Sequence, residues 1–346
     1  MKTLYFHMGW RKTGTSAIQS FLTNNVSDNM IGDVCVIPVG QKAQGMVVGG
    51  RPLAHHPLVR WPAGSWHAGW GKAADFVSFS TAGRFLMTTE VLPGRIEKHP
   101  AFLGALAEKL RIFDRVVFLF WVRRQDEYIN SLYVQLAKHG KNNGEASDLA
   151  GEFMDSDYHA VLAKLENAVT GAEFRPHFYS GPGSDVVGGL IEDLELDASR
   201  LDRSVPPKLN ARVTPEMYRA QIEVNRRAGT AGIRTAPLQA VMVKAYEKTE
   251  SHRNGGPAIP ISIQDRRDIL DRHSESNRLL CDRFRFSPAL FELPKGERLA
   301  SLDQNIPDHI PAGFHAEMSD ALGEISDLKN RDSVGFILAT MQAIVR

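Results

Sequence analysis

Apolar positions fall in two rhythms along this chain. Short apolar runs bounded by turn residues read as buried strands: Leu4-Tyr5-Phe6, Val34 to Val39, "RFLMTTE" (84–90), "RVVFLFWV" (115–122) and "EFRPHFYS" (173–180). The run at 115–122 is almost wholly apolar, the pattern of a strand covered on both faces. Pro176 interrupts the last run and marks it as an edge strand. Between these runs the helical spacing of apolar residues predicts helices over 16–22, 100–112, 126–138, 156–169 and 184–195. From residue 214 onward only helices are predicted, over 214–228, 236–249, 262–282, 314–328 and 332–345. Residues 40–75, rich in Gly, His and Trp, show little periodicity and read as a long loop. Strands that alternate with helices predict an α/β fold with a mostly parallel sheet covered on both faces.

The loop after the first strand carries the chemistry. Residues 7–16 read "HMGWRKTGTS". The phosphate-binding pattern G-x-x-x-x-G-K-[ST] fits at Gly9, Gly14 and Ser16, but Thr15 stands where the lysine belongs. Lys12 sits three residues earlier, inside the loop. Backbone N–H groups at a helix start, with the helix dipole behind them, attract an anion. Lys12 and the hydroxyls of Thr13, Thr15 and Ser16 add a charge and further donors. A lysine so placed loses the reach to β- and γ-phosphates that a kinase uses. It can instead neutralise charge on the leaving oxygen of a shorter 5′-phosphoanhydride.

A second candidate group follows the strand 115–122. Arg123 stands at its C-terminal end and Ser131 eight residues later, two turns into the next helix. Ligands of open parallel sheets bind at the carboxyl ends of strands. An arginine fork and a serine hydroxyl there can share one phosphate. Taken alone, the stretch also reads as a solvated helix start with Asp126 and Glu127 as first-turn acids.

Composition narrows the partners. The chain has 346 residues, 43% hydrophobic and 23% charged, ample for a sizeable core. Its 41 basic and 40 acidic residues leave a net charge of +1, so no global charge favours nucleic acid, and any anion site must be local. Two cysteines, Cys35 and Cys281, read as free thiols of a reducing cytoplasm. No metal-ligand spacing is seen. The N-terminal residues lack the basic and apolar regions of a secretory signal, and the apolar run Val334–Val345 is too short to span a bilayer. The expectation is a cytoplasmic protein with no transmembrane segment.

Together the two motifs resemble the nucleotide site of the sulfotransferase superfamily, enzymes dependent on 3′-phosphoadenosine-5′-phosphosulfate (PAPS). "GWRKTGTS" is similar to their 5′-phosphosulfate loop, G-x-x-K-[TS]-G-[TS]-[TS], and Arg123 with Ser131 matches their 3′-phosphate pair. The segments 188–197, 209–226 and 275–284 look like parts of bacterial sulfotransferase-like proteins, so the resemblance covers roughly residues 1–290. It implies a P-loop kinase-like parallel sheet flanked by helices. It also implies nucleotide binding by Arg11, Lys12, Thr13, Gly14, Thr15, Ser16, Arg123 and Ser131, with no metal required. The acceptor implied is a carbohydrate or other small-molecule hydroxyl. There are departures. Arg124-Gln125 replaces the common Asp-Pro. The second phosphate loop of the animal cytosolic enzymes is absent, Arg253 of "HRNGG" being a possible substitute.

Lys12 and Glu90 are the catalytic candidates. Glu90 ends the strand "RFLMTTE" and should emerge beside the loop, where it can take the acceptor's proton. His7 reads as a packed residue. His55, His56 and His67 read as solvated or acceptor-facing, and Tyr133 and Lys138 as acceptor-lining or packed. The domain reading is a P-loop α/β core over 1–200 and a mainly helical part over 201–346, either packed on the core or forming a separate helical lobe. The rival functions are a kinase or NTPase with a degenerate P-loop, which requires Mg²⁺, and a non-catalytic nucleotide-binding protein. The absence of a strand ending in Asp counts against the first.

Overall fold

A computed structural model describes residues 1–39, 54–60, 65–141, 156–181, 183–204, 213–251, 255–325 and 330–345. Along the chain the elements are β1 (Thr3–Met8), α1 (Thr15–Asn25), β2 (Met30–Ile31), β3 (Val34–Val36), α2 (Ser65–Phe79) and β4 (Arg84–Thr89). Then come α3 (Leu92–Lys98), α4 (Pro100–Leu110), β5 (Arg115–Val122), α5 (Gln125–Lys138), α6 (Tyr158–Ala168), β6 (Glu173–Phe178) and α7 (Val186–Asp193). The rest is helical: α8 (Pro215–Thr230), α9 (Thr235–Tyr246), α10 (Ile263–Arg272), α11 (Ser274–Phe284), α12 (Glu297–Ala300), α13 (Ala312–Glu324) and α14 (Arg331–Gln342).

The chain divides into two compact units. The first comprises Met1–Arg124, Met154–Pro207 and His273–Phe291. It holds a six-stranded sheet of order β2-β3-β4-β1-β5-β6, parallel throughout except for the short antiparallel pair β2–β3. The expected α/β class with a mostly parallel sheet is therefore observed, and β6, which carries Pro176, is an edge strand. Alternation along the strands splits the side chains between two covered faces. On one face Tyr5, Leu86, Val117, Leu119 and Trp121 pack with Ile18, Phe21 and Leu22 of α1 and with Val186 and Leu190 of α7. On the other, Phe6, Phe118 and Phe174 stack in a row with centroids 5.7 and 5.5 Å apart.

Two local expectations are corrected. Residues 65–75, read as loop, belong to helix α2. Trp66, Trp70, Ala73 and Val77 are buried at helical spacing, and both tryptophan Nε1–H groups donate to the Leu58 carbonyl at 2.9 Å. The helix expected over 262–282 is two helices that part at His273, whose Nε2 lies 2.9 Å from Ser156 Oγ. Its second half, α11, is held to the start of α6 by Ser276 Oγ, which donates to Asp157 at 2.6 Å.

The second unit, Gln125–Phe153, Lys208–Arg272 and Glu292–Arg346, is helical in its described residues. Its core gathers Met217, Val224, Met242, Tyr246, Phe314, Met318, Ile337 and Met341 from α8, α9, α13 and α14. Asp126 is not the solvated first-turn acid expected. It is fully buried, 2.5 Å from the guanidinium of Arg266, whose Nε also donates to the Leu302 carbonyl.

Candidate active site at the carboxyl edge of the sheet

Within the first unit β1 lies between β4 and β5. From β1 the chain goes to one side, building β3 and β4, and then crosses to the other for β5 and β6. Such a switch point opens a crevice at the carboxyl ends of the strands. Met8 pairs with Thr89, and Gly9 N–H continues the ladder to the Thr89 carbonyl at 2.7 Å. The loop 9–14 and Glu90 therefore leave adjacent strands side by side.

Two left-handed residues shape the loop. Lys12 has φ 61° and Gly14 φ 85°. Alternation of this kind curls successive N–H groups toward a common centre, an anion-binding concavity. Gly14 is needed on two counts, because a Cβ there would also stand 2.8 Å from Val186 Cγ1. At Gly9 the limit is space, since a Cβ would lie 2.2 Å from Thr15 Oγ1. Helix α1 then starts at Thr15 with Gly14 as its N-cap, no side-chain cap and no acid in its first turn. Its leading N–H groups are thus open to an anion, with the helix dipole in support.

Trp10 anchors this turn. Its ring is buried edge-on against Phe120 and Tyr158, at 5.6 and 5.0 Å. Its carbonyl accepts from Thr13 Oγ1 at 2.6 Å and from Thr15 Oγ1 at 3.4 Å. Thr13 and Thr15 are only 1% and 2% exposed. Their hydroxyl protons are spent inside the loop, and what they can offer an anion is backbone N–H. Arg11 is exposed and Lys12 and Ser16 are half-buried at the rim.

Arg123 follows the end of β5 and reaches back to the loop, its Nη1 donating to the Lys12 carbonyl at 3.3 Å. Its guanidinium also lies 5.4 Å from the centre of the Tyr179 ring, and its own carbonyl accepts from Tyr158 Oη at 2.6 Å. Ser131 is half-buried on α5 in the second unit. Arg253 lies outside the described residues.

Glu90 is half-buried just past β4. Burial raises its carboxyl pKa, and the charges of Arg11 and Lys12 oppose that rise. The two cations are thus close enough to the carboxylate to be felt. Next to it, His56 Nδ1 lies 2.9 Å from Thr89 Oγ1. His55 is structural. Its Nδ1 accepts from the Thr88 N–H at 3.0 Å and its Nε2 pairs with the Ile37 carbonyl at 2.7 Å, extending the sheet where β3 has ended. His7 is buried 2.8 Å from Thr88 Oγ1 and edge-on to Trp121. His67 is exposed, Tyr133 buried and Lys138 half-buried, with burial lowering the Lys138 pKa.

The structure thus brings Arg11 to Ser16, Glu90 and Arg123 to one edge of the sheet. Trp10, Tyr158 and Tyr179 are the members that sequence reasoning missed. A tryptophan between Gly9 and Arg11 was a visible signal, whereas nothing local marks Tyr158. Among the described residues no cluster of His, Cys, Asp or Glu is arranged to hold a metal, and no helix is long and apolar enough to cross a membrane.

No family model and no curated protein matches the sequence. A crystal structure of a sulfotransferase from Alicyclobacillus acidocaldarius is similar to 68% of this chain and 97% of its own, at 11% identity and a TM-score of 0.38. At that level of likeness the functional reading rests on the residues of the site.

Proposed function

We propose that this chain is a sulfotransferase that moves a sulfuryl group from PAPS to the hydroxyl of a carbohydrate or other small molecule. The observation that carries the reading is the place of Lys12. It sits inside a glycine-framed strand–loop–helix turn in the left-handed conformation, its carbonyl held by Arg123 and its charge felt by Glu90. The uncapped start of α1, the left-handed turn and the local cations suit a phosphosulfate, and they ask for no metal clamp.

PAPS would supply the activated sulfuryl group. The N–H groups of residues 13–16 would hold its 5′-phosphosulfate, and Arg11 would add charge at the rim. Lys12 would neutralise the bridging phosphate oxygen, which keeps the electron pair as its bond to sulfur breaks. Glu90 would take the acceptor's hydroxyl proton onto its carboxylate as that oxygen attacks sulfur. Arg123 would bind the 3′-phosphate while holding the loop, and Ser131 enters as its partner on sequence spacing alone.

The test is turnover of PAPS labelled in its sulfuryl group, in EDTA, with a panel of hydroxylated acceptors. Metal-independent transfer that falls roughly a hundredfold or more in Lys12→Ala is expected. Transfer of the γ-phosphoryl group of Mg²⁺-ATP, with PAPS untouched, would make the chain a degenerate P-loop kinase and overturn the reading.

A further inference from the structure

The helical unit buries a knot of amide side chains that has no part in the proposed chemistry. Gln221 and Asn225 lie one turn apart on α8, and Gln239 lies on α9. Gln221 is 0% and Gln239 2% exposed. Asn225 Nδ2 donates to the Ala137 carbonyl at 3.0 Å, and its Oδ1 accepts from Gln239 Nε2 at 2.7 Å. The same Gln239 nitrogen lies 3.4 Å from the Gln221 carbonyl. Two acceptors on its nitrogen fix which way the Gln239 amide is turned, so its Oε1 points elsewhere.

That oxygen has no hydrogen-bond partner among the described residues, nor have Gln221 Oε1 and Gln221 Nε2, and all three atoms are buried. α5 and α8 run alongside each other. Asn130 donates to the Ala258 carbonyl, next to Val213 at the start of α8, while Ala137 meets Asn225 further along both helices.

Buried amide atoms left unpaired are costly, and native proteins pair nearly all of them. Among the described residues these atoms have no partner. Two oxygens need a donor, and the unpaired nitrogen of Gln221 cannot serve the oxygen of its own amide. The missing partner is a small molecule that donates at least as readily as it accepts. No acid belongs to the knot to balance a cation, which leaves water.

We propose that Gln221, Asn225 and Gln239 enclose an internal hydration site, in which ordered water ties α8 to α9. Water bridging such groups is part of a fold and costly to displace. The test is a crystal structure of the full chain at a resolution that shows ordered solvent, paired with the melting temperature of Gln221→Met. Density within hydrogen-bonding distance of the Gln221 amide is expected. Met keeps the length of the side chain but strands the water's other partners, so the variant should melt about 2–4 °C lower. Direct amide–amide pairing with no solvent density, or a variant that melts as high as the parent or higher, would overturn the proposal. If the variant does not fold, the solvent density alone decides.

Discussion

The guanidinium of Arg123 donates to the carbonyl of Lys12 across 111 residues of sequence, at 3.3 Å. One arginine thereby holds the backbone of Lys12, whose left-handed conformation shapes the loop 9–14. Arg123 is itself set by Tyr158, whose hydroxyl donates to its carbonyl, and Tyr158 also walls the ring of Trp10.

Removing that arginine should damage binding more than folding. Arg123→Ala is expected to weaken adenosine 3′,5′-bisphosphate binding by roughly tenfold to a hundredfold, the range of a lost charge-assisted contact. Arg123→Lys should recover little of it, because a lysine lacks the planar fork. Calorimetric titration of the two variants checks this, and full affinity in Arg123→Lys would show that a point charge suffices.

Glu90 carries a prediction in which activity and stability move in opposite directions. Its folded pKa is raised above the ordinary carboxylate value. The folded state therefore binds more protons than the unfolded state between those two values, and stability falls as pH rises through that window. Glu90→Gln has no such loss. At neutral pH it should be the more stable protein, with the advantage gone below the ordinary carboxylate pKa. Its turnover should fall by about 10²–10⁴, the usual contribution of a general base. Arg11→Ala removes one of the charges that opposes the rise and should shift the acid limb of activity to higher pH.

The buried imidazoles of His7 and His55 act in the opposite sense. Burial, with the neighbouring His177, holds His7 down to about 3, and burial holds His55 down to about 4. Both are neutral when folded and gain a proton on unfolding below the ordinary imidazole pKa of about 6.5. The stability they contribute is complete above that pH and is lost as pH falls toward their folded values, by an amount on the order of a few kcal/mol. Chemical denaturation from pH 7 to pH 4 should show this decline. His55→Gln should flatten the slope, at a cost of about 1–3 kcal/mol at neutral pH for the buried pairings it disturbs.

Gly14→Ala separates conformation from crowding. A Cβ at Gly14 meets both a φ of +85° and Val186 Cγ1 at 2.8 Å, whereas at Gly171, with φ +78°, nothing lies within 4 Å. Gly171→Ala should cost roughly 1–2 kcal/mol, for the left-handed conformation alone. Gly14→Ala should cost about 1–3 kcal/mol more, from overpacking. Equal melting temperatures for the two variants would show that Val186 yields.

Much of the sheet could be read in the sequence because its signals are local. The apolar run 115–122 could only be a buried strand, and the spacing of Gly9 and Gly14 after β1 marked the turn before a helix was seen. The failures have local causes as well. The helix at 65–79 carries Trp66, Trp70, Ala73 and Val77 at helical spacing, but Gly69 and Gly71 dilute its propensity and the surrounding Gly-rich stretch hides it. The continuous helical pattern of 262–282 breaks at His273, whose ring pairs with Ser156 more than a hundred residues away. The support of the loop 9–14 was illegible for the same reason. Trp10, Arg123 and Tyr158 meet only once the sheet is assembled, and no spacing in the sequence encodes that meeting. Thr13 and Thr15 looked like ligand donors, yet their hydroxyls are turned to the Trp10 carbonyl, a detail that depends on the left-handed Lys12.

The central claim is that the loop around Lys12 cradles a phosphosulfate donor without a metal. Titration of adenosine 3′,5′-bisphosphate into the protein in EDTA, beside Mg²⁺-ATP and beside the Lys12→Ala variant, tests it most directly. The account predicts saturable binding of the bisphosphate in EDTA, weakened in the variant. Binding of Mg²⁺-ATP alone, or bisphosphate binding that is indifferent to Lys12, would contradict it.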